Sequence, residues 1–332
     1  WSKQHLPGAI AHSNQNPGEW SDLTKMRHYV ERTQPDLISW DSYEMSYGTA
    51  SADSVTPDRF IQALMGRNTY GVYRQVAMEG YDGKGASPVP WGQYIDYSFE
   101  SNLPASQKNF TAMLSLATGA KWLGNFRMEY TAFDKESIVD GDGAPTRSWV
   151  EYADVFNAQH NLGQYLTAMN NTYFATKPGD YGKGTNSVYQ GYKAAGFDAS
   201  KTREATKDWG LLDISASSDP QGMNAGRAGD VAVGYFTKLP GLTDAKAAEV
   251  FGADSTNLRG FVLMNALAGK AIPNAKGLAD RHDNGQPWQT RQTITVTVKQ
   301  PAEGNTLYRV DHATGKRSTV ALTPAGAGKA TF

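Results

Sequence analysis

Cysteine is absent from all 332 residues, which removes disulfides, zinc thiolates and a cysteine nucleophile from consideration. Histidine is scarce: the six present are scattered without HExxH or other paired spacing, so no histidine-based metal site is expected. No run of about 18 apolar residues occurs, as a membrane-spanning helix requires. No signal-peptide pattern is seen at Trp1, and Trp in place of Met reads as a processed chain or a fragment. Charge of one sign is lacking too. The 32 basic and 33 acidic residues leave a net charge of -1, so neither nucleic acid nor an anionic membrane is favoured as a partner. A GxSxG elbow is missing, and "GDYGKGTNS" lacks the GxxxxGK[ST] spacing of a phosphate cradle.

Aromatic side chains, in contrast, are plentiful. Eight Trp and 17 Tyr contribute to an aromatic content of 11%, and many stand beside Gly, Asn and Asp rather than in helical stripes. Flat apolar faces with polar rims suit a neutral, hydroxyl-rich ligand such as a sugar.

Four apolar runs alternate with helical patterns. "PGAIAHSNQN" (7–16) precedes "EWSDLTKMRHYVERT", where Trp20, Leu23, Met26 and Val30 recur at helical spacing. "PDLISWDSYE" (35–44) precedes "TPDRFIQALMGRN", with Thr56 as N-cap and Pro57 at the first helical position. "GVYRQVAMEGYDG" (71–83) reads as a buried strand finishing on Glu79, and "PASQKNFTAMLSLATGA" as a helix with Phe110, Met113, Leu114 and Ala117 on one face. "GAKWLGNFRMEY" (119–130) is the fourth run, followed by a turn and a long helix from about Thr146 to Met169. The alternation predicts parallel strands joined by crossover helices over residues 1–175. Side chains at the strand ends would gather on one face. Beyond Thr176 short β-type runs and the hairpin signal "DHATGK" predict an antiparallel β-sandwich over residues 176–332.

Taken in order, the four runs resemble strands five to eight of a glycoside hydrolase (β/α)8 barrel of the retaining clan A, closest to the β-galactosidase-like family 42. "GAIAHSNQN" is similar to the fifth strand and "PDLISWDSYE" to the sixth. "RQVAMEGYDG" resembles the seventh, whose terminal Glu is the family's nucleophile, and "GAKWLGNFRMEY" the eighth. "PVPWGQYIDYSFESNLPASQKNF" resembles the long loop after the seventh strand, with Trp91 and Tyr94 facing the sugar. The resemblance implies a retaining double displacement on a β-linked glycoside, possibly a galactoside, with Glu79 as nucleophile and no cofactor. It also implies a secreted or surface-exposed enzyme.

The residues themselves suit such roles. Retention needs two carboxyl groups about 5 to 5.5 Å apart, and Glu129 is the strand-end acid that could stand beside Glu79, with Asp41 second. Arg127 is the cation expected to keep Glu79 ionised. His12, Asn14, Asp41 and Tyr43 are candidate contacts to substrate hydroxyls, and Trp40, Trp91 and Tyr94 candidate stacking surfaces. Trp122 is the weakest further stacking candidate, since its mid-strand place reads as core. One departure stands out: clan A places its acid/base after an Asn on the fourth strand, and no Asn-Glu dipeptide occurs here. Strands one to four are therefore expected from a preceding segment or partner chain. The alternative is a carbohydrate-binding or scaffold protein that keeps the aromatic cleft without catalysis.

Overall fold

A computed structural model describes residues 2–16, 22–41, 70–95, 101–102, 105–125, 138–177, 179–180, 210–222, 224–252, 255, 258–268, 272–273, 288–302 and 305–332. The expected sites Tyr43, Arg127 and Glu129, and the helix expected after Thr56, lie outside them. After the short helix α1 (Ser2–His5) the chain alternates between strand and helix. The order is β1 (His12–Gln15), α2 (Leu23–Thr33), β2 (Leu37–Asp41), α3 (Tyr70–Glu79), β3 (Trp91–Ile95), β4 (Ser101–Asn102), α4 (Ala105–Ala117), β5 (Trp122–Asn125) and α5 (Arg147–Leu166). Strands β1, β2, β3 and β5 form one parallel sheet in that spatial order.

The helix signals act as expected where side chains can satisfy the free amides of a first turn. Asp22 accepts hydrogen bonds from the Thr24 and Lys25 amides at the start of α2, and Thr146 accepts from Ser148 at the start of α5. Helix α2 buries Met26 and Val30, the i, i+4 pair that faces the sheet.

Side chains alternate across a strand, so in-register partners of parallel strands share a face. One face carries Ile38, Trp40, Trp91, Gln93, Ile95 and Leu123, all buried. Trp40 is stacked between Tyr73 of α3, with ring centroids 4.5 Å apart, and Trp91, at 4.9 Å. Both tryptophans expected to meet a sugar are thus core residues beneath the helices. Burying such large apolar rings contributes more than exposing them to a hydrated ligand.

A second correction concerns "GVYRQVAMEGYDG". It is helix α3, not a strand: Tyr73, Val76 and Ala77 form its buried face at i, i+3 and i+4. Gly80, at φ 68, ends the helix with its N–H bonded to the Val76 carbonyl, the left-handed stop that glycine adopts without a steric penalty. The third parallel strand is Trp91–Ile95, in the stretch expected to be a loop.

The remaining strands are antiparallel. They are β6 (Met169–Lys177), β7 (Leu211–Ser218), β8 (Val231–Lys238), β9 (Arg259–Asn265), β10 (Ile272–Pro273), β11 (Gln292–Lys299), β12 (Tyr308–Val310), β13 (Arg317–Thr319), β14 (Thr323–Pro324) and β15 (Lys329–Thr331), with helix α6 (Asp244–Phe251) between β8 and β9. One sheet has the order β6-β8-β9 and another β14-β15-β11-β7; β12 and β13 form the expected hairpin, and β10 pairs with β4. Ala175, Val233 and Tyr235 of the first sheet share a core with Leu211, Ile214, Val296, Val298 and Ala330 of the second. The opposite face of β8, with Ala232 and Phe236, joins the core of the parallel sheet. There α4 lies so close that a Cβ on Gly234 would stand 1.7 Å from the Ala117 carbonyl oxygen. Strand β6 crosses the expected boundary at residues 175–176 and pairs along its length with β8.

Candidate functional site

The other face of the parallel sheet carries His12 and Asn14 from β1, Leu37, Ser39 and Asp41 from β2, Gly92 and Tyr94 from β3, and Trp122 and Gly124 from β5. In a flat sheet β1 and β5 would be about 14 Å apart, three strand spacings. Yet the rings of His12 and Trp122 have centroids 6.2 Å apart. The sheet is therefore curled, with this face on the inside.

Small residues make the aromatic arrangement possible. A Cβ on Gly124 would lie 2.6 Å from the Trp122 ring and 2.8 Å from that of Tyr94, so glycine leaves the space both rings occupy. These rings meet edge to face, centroids 5.1 Å apart and planes at 88°, the geometry that the aromatic quadrupole favours. Trp122 is half-buried on this face and belongs to the site rather than the core, contrary to its mid-strand reading.

Polar groups line the same hollow. Ser39 Oγ lies 3.3 Å from His12 Nδ1 and can donate to it when that nitrogen is unprotonated. Asn14 is exposed beside them. Asp41 Oδ1 is buried and has no hydrogen-bond partner among the described residues, an under-satisfied carboxylate at a strand's C-terminal end. Buried acceptors of this kind are uncommon and call for a ligand, a water or a proton donor.

Glu79 lies elsewhere. As the last residue of α3 it belongs to the helical layer, where Arg27 Nε and Nη2 donate to its two oxygens at 2.7 Å each and Gln75 Nε2 donates at 3.0 Å. The Arg27 hydrogen bonds hold its carboxyl below the usual range. A carboxylate occupied on both oxygens by a guanidinium is an ion-pair partner between α2 and α3, and it does not share the curled face.

No family model, curated protein or solved structure matches this chain. The site must be read from its own geometry.

Of the sequence-derived candidates, the structure brings together His12, Asn14, Asp41 and Tyr94, while Trp40, Trp91 and Glu79 point into other layers. Ser39 is the addition, and Trp122, the weakest of the stacking candidates, joins them. The spacing "WLGN" held the clue to Trp122, because residues i and i+2 of a strand share a face and Gly124 offers the room. Among the described residues Asp41 is the one carboxylate on this face, and no three His, Cys, Asp or Glu side chains are close enough to hold a metal ion. Chemically the face offers aromatic surface for C–H groups, an imidazole and hydroxyl for polar contacts, and one carboxylate for proton transfer or charge stabilisation.

Proposed function

We propose that the inner face of the parallel sheet binds a β-linked oligosaccharide, and that the chain contributes a four-stranded half, the half resembling strands five to eight, of a (β/α)8-type glycoside hydrolase barrel followed by a β-sandwich. The observation that carries this reading is the grouping of Trp122, Tyr94, His12, Ser39 and Asp41 on the inside of one curled parallel sheet. Pyranose rings present apolar C–H faces and polar edges, and the cluster offers a matching surface for each. In (β/α)8 folds the strands' C-terminal ends build the active site, and Asp41 ends β2.

Asp41 takes over as the catalytic carboxylate of this face. Double displacement needs a second carboxyl group about 5 to 5.5 Å away, one group attacking the anomeric carbon and one protonating the leaving oxygen. Glu129, shortly after β5 in the sequence, remains the sequence's candidate for that partner. That Asp41 is the one carboxylate on this face among the described residues gives weight to a second reading, in which the same face binds sugar without cleaving it.

A panel of nitrophenyl β-glycosides separates the two. If Asp41 is catalytic, Asp41→Asn lowers kcat by about 100-fold or more with little change in KM. Unchanged turnover would remove Asp41 from the chemistry, and saturable binding with no turnover by the unaltered chain would establish the non-catalytic reading.

A further inference from the structure

Among the described residues β1 and β5 are the two edges of the parallel sheet, each paired on one side only. Open edges of parallel sheets are unusual, because such sheets are ordinarily covered and an unpaired edge is a template for another strand. Beside β5 lies a groove of about 680 Å³, lined by Leu116, Ala120 and Leu123 on one wall and by Phe156, His160 and Gly163 of α5 on the other.

Helix α5 presents Trp149, Ala153, Phe156, His160, Gly163 and Thr167 at alternating spacings of four and three residues, the period of a helix-packing seam. A Cβ on Gly163 would meet nothing within 4 Å, so this seam has no cover at its narrowest residue. Gln159 Oε1, on the same wall, is buried without a partner among the described residues. Among the described residues six large apolar side chains are more than a third exposed; Leu6 and Ile10 stand ahead of β1, and Trp149 and Val150 in the first turn of α5. The β1 side thus offers protruding Leu6 and Ile10, and the β5 side a recess along the second half of α5, with Trp149 and Val150 exposed at the start of that helix.

We infer that a second copy of this chain closes the sheet, β1 of each protomer pairing in parallel with β5 of the other about a two-fold axis along the strands. Such an axis preserves strand direction, so both edges of both copies are satisfied at once. Ile10 enters the partner's groove beneath α5. Two four-stranded sheets give eight strands, the number at which a parallel barrel closes with a side-chain-filled interior. The contact is self-complementary, as a two-fold interface requires. Closure also brings a second Asp41 to the enclosed face, a consequence that alone rests on the sugar reading.

Sedimentation velocity of the chain tests this. The expected species is twice 36.1 kDa, and Gly163→Arg and Ile10→Asp, both at open positions, each weaken self-association at least tenfold while the circular dichroism spectrum is unchanged. Tyr308→Ser, on the hairpin whose turn binds α5 through Asn157, Asn161 and Tyr165 rather than through the seam residues, leaves the dimer intact. A chain that stays at 36.1 kDa at every concentration overturns the inference, as does a dimer that survives both substitutions or edges found covered by a different polypeptide. If either variant unfolds, concentration-dependent protection of the β5 amides in the unaltered chain gives the answer, and its absence overturns the inference. No sugar enters the measurement, so failure of the oligosaccharide reading leaves the result standing.

Discussion

Gly124 fixes how Trp122 and Tyr94 share the inner face. Its φ lies outside the left-handed region that favours glycine, so the demand on this position is space alone. Gly124→Ala should displace the Trp122 ring at little cost in Tm and weaken oligosaccharide binding about fivefold, the equivalent of about 1 kcal/mol of aromatic contact. Tryptophan fluorescence and calorimetric titration would read the two effects.

Glu79 and Lys121 both make stability rise with pH, in separate windows. The Glu79 pKa is lowered chiefly by Arg27, so its contribution is present above the ordinary glutamate value and is lost as pH falls through the lower folded value. Since Arg27 is half-exposed and solvent screens such a pair, Arg27→Ala should change Tm little, and Glu79→Gln should leave glycoside turnover unchanged. Lys121 donates to the Leu166 and Met169 carbonyls, and burial pushes its ammonium down to about 8. The unfolded chain, with lysine near about 10.4, binds more protons between these values, so stability contributed by this group rises with pH across that window. Urea titrations of the unaltered chain and Lys121→Met should show that rise only in the former.

At the scale of elements, helices with a side-chain cap were legible and a short apolar run was not. Thr146 fixed the start of α5 because its hydroxyl satisfies the Ser148 amide, a local contact any sequence reader can find. Val76, Ala77 and Met78 ahead of a glycine suit a buried strand or a buried helix equally, and only the packing of Tyr73 on Trp40 decides for the helix. Misplacing that element hid the strand Trp91–Ile95 and, with it, the outward turn of Trp91. The same limit applies to β6, whose polar "MNNTY" start gives little alternation although β8 pairs along it. The junction of α4 with β8 makes its own prediction. Gly234→Ala should lower Tm substantially, by the equivalent of about 3 kcal/mol or more, because the Ala117 carbonyl leaves no room for a Cβ. Differential scanning calorimetry would record it.

For the molecule as a whole, the alternation of strand and helix conveyed a parallel sheet followed by antiparallel strands, and both are present. The choice of face depended on register, which nothing local specifies: a shift of one residue exchanges every inward side chain for an outward one. That is why Asp41 and Tyr94 meet in the hollow while their neighbour Trp40 does not. Curling of the sheet, which draws His12 and Trp122 together across four strands, likewise emerges only from assembly. The hollow is proposed to receive a sugar. Calorimetric titration of the unaltered chain and of Trp122→Ala against a panel of β-linked oligosaccharides tests it most directly. Saturable binding by the unaltered chain, weakened about fivefold to tenfold by loss of the ring, is the predicted result; equal binding by both, or no binding by either, would contradict it.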